Sequence, residues 1–234
     1  LVTGWQKAEY DQMGLWPGEA HFKHRYDMVT EYVTVMKELW ETGRSDFKGD
    51  YFKMNDCRLS PLPSRPIKLI SAGTSDAGMK FAAGHCTYNF CSGQGEVNDP
   101  RDCAEAVGRL KAACTATGRD VKALALTMII ADETDEAAMA KWEHYKAGVD
   151  LDAIGWRSDQ AASDKFAAEN STAGRIRRRE PLPNNGSRLI GSYATVARLL
   201  DEMAEIDGLA GVMLTFDDFI IGIEQFGQRI QPLM

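Results

Sequence analysis

The chain has 234 residues, of which 44% are hydrophobic and 26% charged. That composition is ordinary for a globular protein and leaves room for one large domain or two small ones. A net charge of −7 and a pI near 5.2 argue against nucleic acid or anionic membrane as a partner, since both need clustered Lys and Arg. No stretch reaches the roughly 18 apolar residues of a membrane span. The five cysteines are odd in number and have no C-x-x-C spacing, which reads as reduced thiols in a cytoplasmic protein.

Leu1-Val2-Thr3-Gly4-Trp5 has the pattern of the C-terminal end of a buried strand. A strand–helix alternation follows, so the chain reads as the C-terminal part of a parallel α/β protein that opens inside a strand. Residues 6–20 read as a loop broken by Gly14, Pro17 and Gly18. Residues 21–42 predict a long helix. Phe22, Tyr26, Val29, Tyr32, Val33, Met36, Leu39 and Trp40 recur at three- and four-residue steps, and Gly43 follows as a stop. Residues 44–66 read as a small β excursion, with a hairpin around Asp46–Phe52 and rigidifying prolines at 61, 63 and 66.

Ile67–Ala72 predicts a short buried strand that turns at once into a helix over 76–84. Tyr88–Cys91 predicts another strand, and a helix over 101–117 closes at Gly118. Leu124–Ala131 is an apolar run of the kind buried on both faces. Thr134 suits the cap of a helix over 134–148, with acidic residues at its positive end. Residues 149–190 are polar and read as an insertion or mobile loop. A helix at 192–206, a strand at 211–216 and a last helix at 218–229 complete the pattern.

Strands each followed by a helix imply a parallel sheet. A (β/α)8 barrel and a doubly wound open sheet both fit. Polar residues at the strand ends, Thr3, Ser71, Ser92, Asp132, Thr215 and Asp217, favour the barrel, which collects its chemistry there. The expected unit is therefore one TIM-barrel domain over 1–234, lacking its N-terminal strands and interrupted by the polar insertion at 149–190.

Four clusters could carry chemistry. In Ser71-Ala72-Gly73-Thr74-Ser75-Asp76-Ala77-Gly78 a strand end meets a helix N-terminus, a geometry that offers backbone N–H groups to a phosphate. Thr74 or Ser75 could equally act only as the helix cap. Arg25 beside Tyr26 could clamp a phosphate, or pack as core tyrosine and surface arginine. Trp5 and Glu9 past the first strand end suit a planar heterocycle, by stacking and by accepting N–H bonds. Asp217-Asp218 at the last strand end combines a capping position with a possible site carboxylate. His21 and His24 lack a third ligand of suitable spacing, so no metal is expected. The basic run Arg175–Arg179 reads as solvated or as an oligomer contact. Neither G-x-G-x-x-G nor a Walker motif occurs.

Leu1-Val2-Thr3-Gly4-Trp5-Gln6-Lys7, Glu9-Tyr10 and Met13-Gly14 resemble the flavin-dependent monooxygenases of the bacterial-luciferase superfamily. Longer runs resemble its pyrimidine-oxidising branch: Ser45–Asp50, Met54–Arg58, Ser75–Met79, Ile130–Asp135, Lys141–Gly148, Gly191–Ala194 and Leu214–Phe219 through Arg229–Met234. The resemblance implies a (β/α)8 barrel that binds FMN, reduced by a separate NADH-dependent flavin reductase, and uses O2 as co-substrate. It implies opening of uracil or thymine between N3 and C4 to a ureidoacrylate peracid, in pyrimidine degradation for nitrogen. The family's flavin contacts fall on Glu9, Arg25, Tyr26 and Ser75. Of these, Arg25, Tyr26 and Ser75 are expected at the phosphate, and Glu9 nearer the ring or the pyrimidine. Trp5 is expected as a wall of the substrate pocket, and no residue is assigned a catalytic role. The superfamily also implies a homo-oligomer. The alternatives are an alkanesulfonate or sulfone monooxygenase of the same superfamily, or a non-catalytic flavin-binding remnant.

Overall fold

The computed structural model describes residues 1–177, 182–183 and 186–234. Two short strands, β1 (Arg44–Ser45) and β2 (Cys57–Arg58), pair antiparallel and close the predicted hairpin. Five others form one parallel sheet: β3 (Ile70–Ser71), β4 (Tyr88–Phe90), β5 (Lys122–Asp132), β6 (Ser187–Ser192) and β7 (Leu209–Phe216). The helices are α1 (Lys7–Gln12), α2 (Ala20–Thr42), α3 (Asp76–His85), α4 (Ala104–Thr117), α5 (Asp135–Ala147), α6 (Leu151–Ala162), α7 (Thr172–Ile176), α8 (Tyr193–Ala204) and α9 (Phe219–Gln225).

β5 organises the sheet. Its first residues pair with β4, from Lys122 opposite Tyr88 to Leu124 opposite Phe90. Its last residues pair with β6, from Thr127 opposite Ser187 to Asp132 opposite Ser192. β7 runs along β5 from Ala123 to Ile129. Ala123, Ala125, Thr127, Ile129 and Ala131 are buried along one face, whereas on the other Leu126 is exposed and Ile130 buried, so the strand expected to be buried on both faces is covered on both only towards its end.

Two main cores flank the sheet. One packs Val29 and Val33 of α2 against Met79, Phe81 and Ala82 of α3, Val107 and Leu110 of α4, and the start of β5. The other packs Val196, Leu199 and Leu200 of α8 against Ile129, Leu189, Phe216 and Ile230. Each fully buried aliphatic side chain contributes about 1.5–3 kcal/mol relative to exposure. Helix ends follow local rules. Gly43 takes φ 74° and closes α2, while the side chains of Thr134, Asp150 and Ser192 accept backbone N–H bonds at the starts of α5, α6 and α8.

The structure corrects several expectations. Residues 1–5 form no strand. Their tie to the sheet is one bond from the Leu1 amino group to the Ile70 carbonyl, and a ladder needs successive pairs. Residues 6–20 contain α1 rather than loop alone. On α2, Val35 is buried while Tyr32 is exposed and meets Phe52 of the hairpin arm, with ring centroids 5.7 Å apart. The described part of 149–190 is not irregular throughout: α6 and α7 lie within it and β6 begins there. Arg178, Arg179, Pro181, Asn184 and Asn185 lie outside the described residues.

Candidate functional site

The site is built where β3 turns into α3. Gly73 and Gly78 pack backbone to backbone: a Cβ at Gly73 would lie 2.7 Å from the Gly78 Cα, and one at Gly78 would lie 2.6 Å from the Tyr26 hydroxyl. Only glycines allow that approach. It draws the N-terminus of α3 against α2 and brings Tyr26 to the turn. Ser75 caps α3 by accepting the Gly78 N–H at 3.2 Å. Thr74 is buried, and its Oγ1 has no hydrogen-bond partner among the described residues.

Arg25, one position before Tyr26 on α2, is largely buried. Its Nη1 lies 2.9 Å from Oδ2 of Asp164, which is fully buried, and donates to the Gly4 carbonyl at 3.3 Å. The Asp164 Oδ1 accepts the Phe166 N–H at 3.0 Å. Asp164 sits in the stretch after α6 that the sequence presents as a polar insertion. An aspartate in a polar run gives no signal of its own, and only the fold shows that it meets Arg25.

These groups surround a cavity of about 220 Å³ lined by Trp5, Arg25, Tyr26, Thr74 and Ser75, with Ser171 and Thr172 closing one side. Four of the five expected site residues therefore converge. Glu9 does not: it is exposed in the first turn of α1 and outside the lining. The cavity is smaller than the roughly 300–1,000 Å³ that encloses a drug-sized ligand, so it suits one end of a larger molecule. A neighbouring polar cavity of about 160 Å³ shares Thr74 and runs beside Arg109 and Arg175.

Around the rim, the Tyr10 hydroxyl and His21 Nε2 lie 3.3 Å apart. Burial and the nearby Arg25 charge push the His21 pKa down, which favours a neutral ring. His24 pairs with Asp27. The other strand-end groups are engaged. Asp132 pairs with Lys141 at 2.9 Å, and that bond holds its carboxyl below the usual range. Asp218 caps α9 by accepting from Ile220 and Ile221, whereas Asp217 accepts from the Tyr145 hydroxyl at 2.8 Å. Arg175 is not merely solvated: it donates to the carbonyls of Ser92 and Gly93 and ties α7 to the chain just past β4.

The residues present fit a phosphate monoester. Arg25, Tyr26, Ser75 and a buried Thr74 whose hydroxyl has no partner among the described residues line one space at the N-terminus of a ten-residue helix. Such a set satisfies anionic oxygens by charge and by directed hydrogen bonds.

Residues 1–208 match the model of the luciferase-like monooxygenase family. The chain belongs to that family. Across its whole length it is 57% identical to the pyrimidine monooxygenase RutA of Enterobacter sp. strain 638, covering 64% of that protein. It is also 57% identical to the RutA of Cronobacter sakazakii, covering 69%. The chain thus spans just under two thirds of the length of the first of these relatives. Among solved structures, riboflavin lyase RcaE superposes with a TM-score of 0.77 at 20% identity, over 98% of this chain and 61% of its own. The long-chain alkane monooxygenase LadA superposes at 0.73 and 22% identity, over 95% and 58%. At those identities the superpositions establish the fold: the luciferase-like parallel sheet with its helices, consistent with the expected barrel. No described helix is long and apolar enough to cross a membrane.

Proposed function

We propose that the chain is the larger part of an FMN-dependent pyrimidine monooxygenase, which opens uracil or thymine between N3 and C4. The observation that carries this reading is the 57% identity to RutA proteins along the entire chain. The convergence of Trp5, Arg25, Tyr26 and Ser75 on one cavity supports it. Reduced flavin, when bound, supplies the electrons that activate O2. In the overall reaction the N3–C4 bond breaks, both oxygens of O2 end on C4 as a peracid, N3 becomes a terminal amide, and the flavin leaves oxidised.

The protein's own part is binding, orientation and exclusion of water. Arg25, Tyr26, Ser75 and Thr74 hold the FMN phosphate at the start of α3. Trp5 forms a wall toward the pyrimidine. Glu9 belongs to the same proposal as a ring-end contact, which requires α1 to turn that exposed carboxylate inward. The reduced cofactor comes from a separate NADH-dependent flavin reductase, and the enzyme works as a homo-oligomer in the cytoplasm.

The test supplies the protein, extended to the length of its relatives, with FMN, NADH, a flavin reductase, O2 and uracil, and follows products by mass spectrometry. An alkanesulfonate and a sulfone run in parallel. Ring-opened ureidoacrylate species from uracil alone are expected. Sulfite release without uracil loss would overturn the substrate. No oxidation of any substrate would reduce the chain to a flavin-binding remnant.

A further inference from the structure

We propose that Asp164 is the positioning residue of the anion site: from behind Arg25 it fixes the guanidinium that the site offers to the ligand's phosphate. This rests on the FMN reading above and adds a residue to it. Asp164 is fully buried yet is not among the residues that line the cavity, whereas Arg25 is. The carboxylate therefore sits behind the arginine, away from the space the ligand takes. Its Oδ2 meets Nη1 as an ion pair at 2.9 Å without a hydrogen bond, while Nη1 donates to the Gly4 carbonyl. Nε and Nη2 donate to no described residue and remain for anionic oxygens, which a planar guanidinium can meet two at a time.

The carboxylate is itself held in place. Its Oδ1 accepts the Phe166 N–H, and the next residue, Lys165, pairs with Glu19 at 3.0 Å, one residue before α2 begins. Just before it, Gln160 of α6 accepts the Ala8 N–H at 3.3 Å. The 160–166 stretch is thus pinned to α1 and to the start of α2 around the Arg25 contact. A flexible arginine must lose rotamer freedom to bind a phosphate. An arginine already fixed by a buried carboxylate has lost that freedom before the ligand arrives, so less is lost on binding.

The test compares FMN with riboflavin, which lacks the phosphate, by flavin-fluorescence titration of the wild-type chain, Asp164→Asn and Asp164→Glu. Wild type is expected to prefer FMN. Asp164→Asn should weaken FMN roughly tenfold, the lower end of the loss seen when a partner that orients a metal ligand is removed, and change riboflavin less than about twofold. Asp164→Glu should restore part of the preference. A general loss of folding would weaken both ligands alike, so the ratio isolates the positioning role. If Asp164→Asn keeps the wild-type ratio, or binds FMN more tightly, the positioning role is wrong while the phosphate site stands. If wild type binds both flavins equally, the phosphate reading fails and the role of Asp164 fails with it.

Discussion

At the scale of single residues, the site depends on side chains that are absent as much as on those present. Gly73 and Gly78 touch where any Cβ would strike backbone. Gly78→Ala should therefore cost on the order of 1–3 kcal/mol, read as a lower denaturant midpoint, and it should displace Tyr26 from the cavity. Ser75→Ala removes the cap of α3, worth about 1 kcal/mol, together with a phosphate contact. Its FMN affinity should fall further than its riboflavin affinity. Tyr145 gives a pH signature. Burial, and then its bond to Asp217, raise its pKa to about 12. The folded protein thus holds this proton more tightly than the unfolded chain, whose tyrosine titrates near 10. That contribution is complete below pH ~10 and disappears as pH rises through about 12. Thermal midpoints measured across that window should fall more steeply for wild type than for Tyr145→Phe.

At the scale of elements, α7 is held to the chain just past β4 by Arg175, which donates to two carbonyls there. Arg175→Ala should loosen residues 149–177, seen as faster proteolysis in that segment with the cleavage pattern elsewhere unchanged. What the sequence made legible follows the same division. α2, α4, α5, β5 and β7 carry long periodic or unbroken apolar patterns, and each lies within a few residues of its expected span. β6 escaped because Ser187 and Arg188 read as part of the polar stretch and Ser192 as the start of the next helix. Arg188 is nonetheless buried, its guanidinium 4.8 Å from the Trp142 ring centroid. Arg25, Tyr26 and Ser75 were visible because a strand end, a glycine turn and a helix start are local signals. Asp164 was not, since its meaning depends on Arg25, far away in the chain. Glu9 came from resemblance, and α1 carries it on an exposed face.

At the scale of the whole molecule, apolar surface is unevenly covered. Phe219, Ile220, Ile221 and Ile223 of α9 are all more than half exposed. A contiguous run of this kind promotes association. The chain should scatter light increasingly with concentration, and Ile220→Glu with Ile223→Glu should suppress that rise without shifting the wild-type preference for FMN over riboflavin.

β5 also sets the order in which the molecule can be made. Synthesis delivers its eleven residues with only β4 available as a neighbour. The two strands that cover most of its length, β6 and β7, emerge only after α5, α6 and α7. Parallel pairing across such separations closes slowly. In the interval this long, largely apolar strand is a template for the wrong partner. The yield of native protein should therefore be decided less by final stability than by how soon β6 and β7 follow β5 from the ribosome, and slowing translation between them should favour aggregates nucleated on β5.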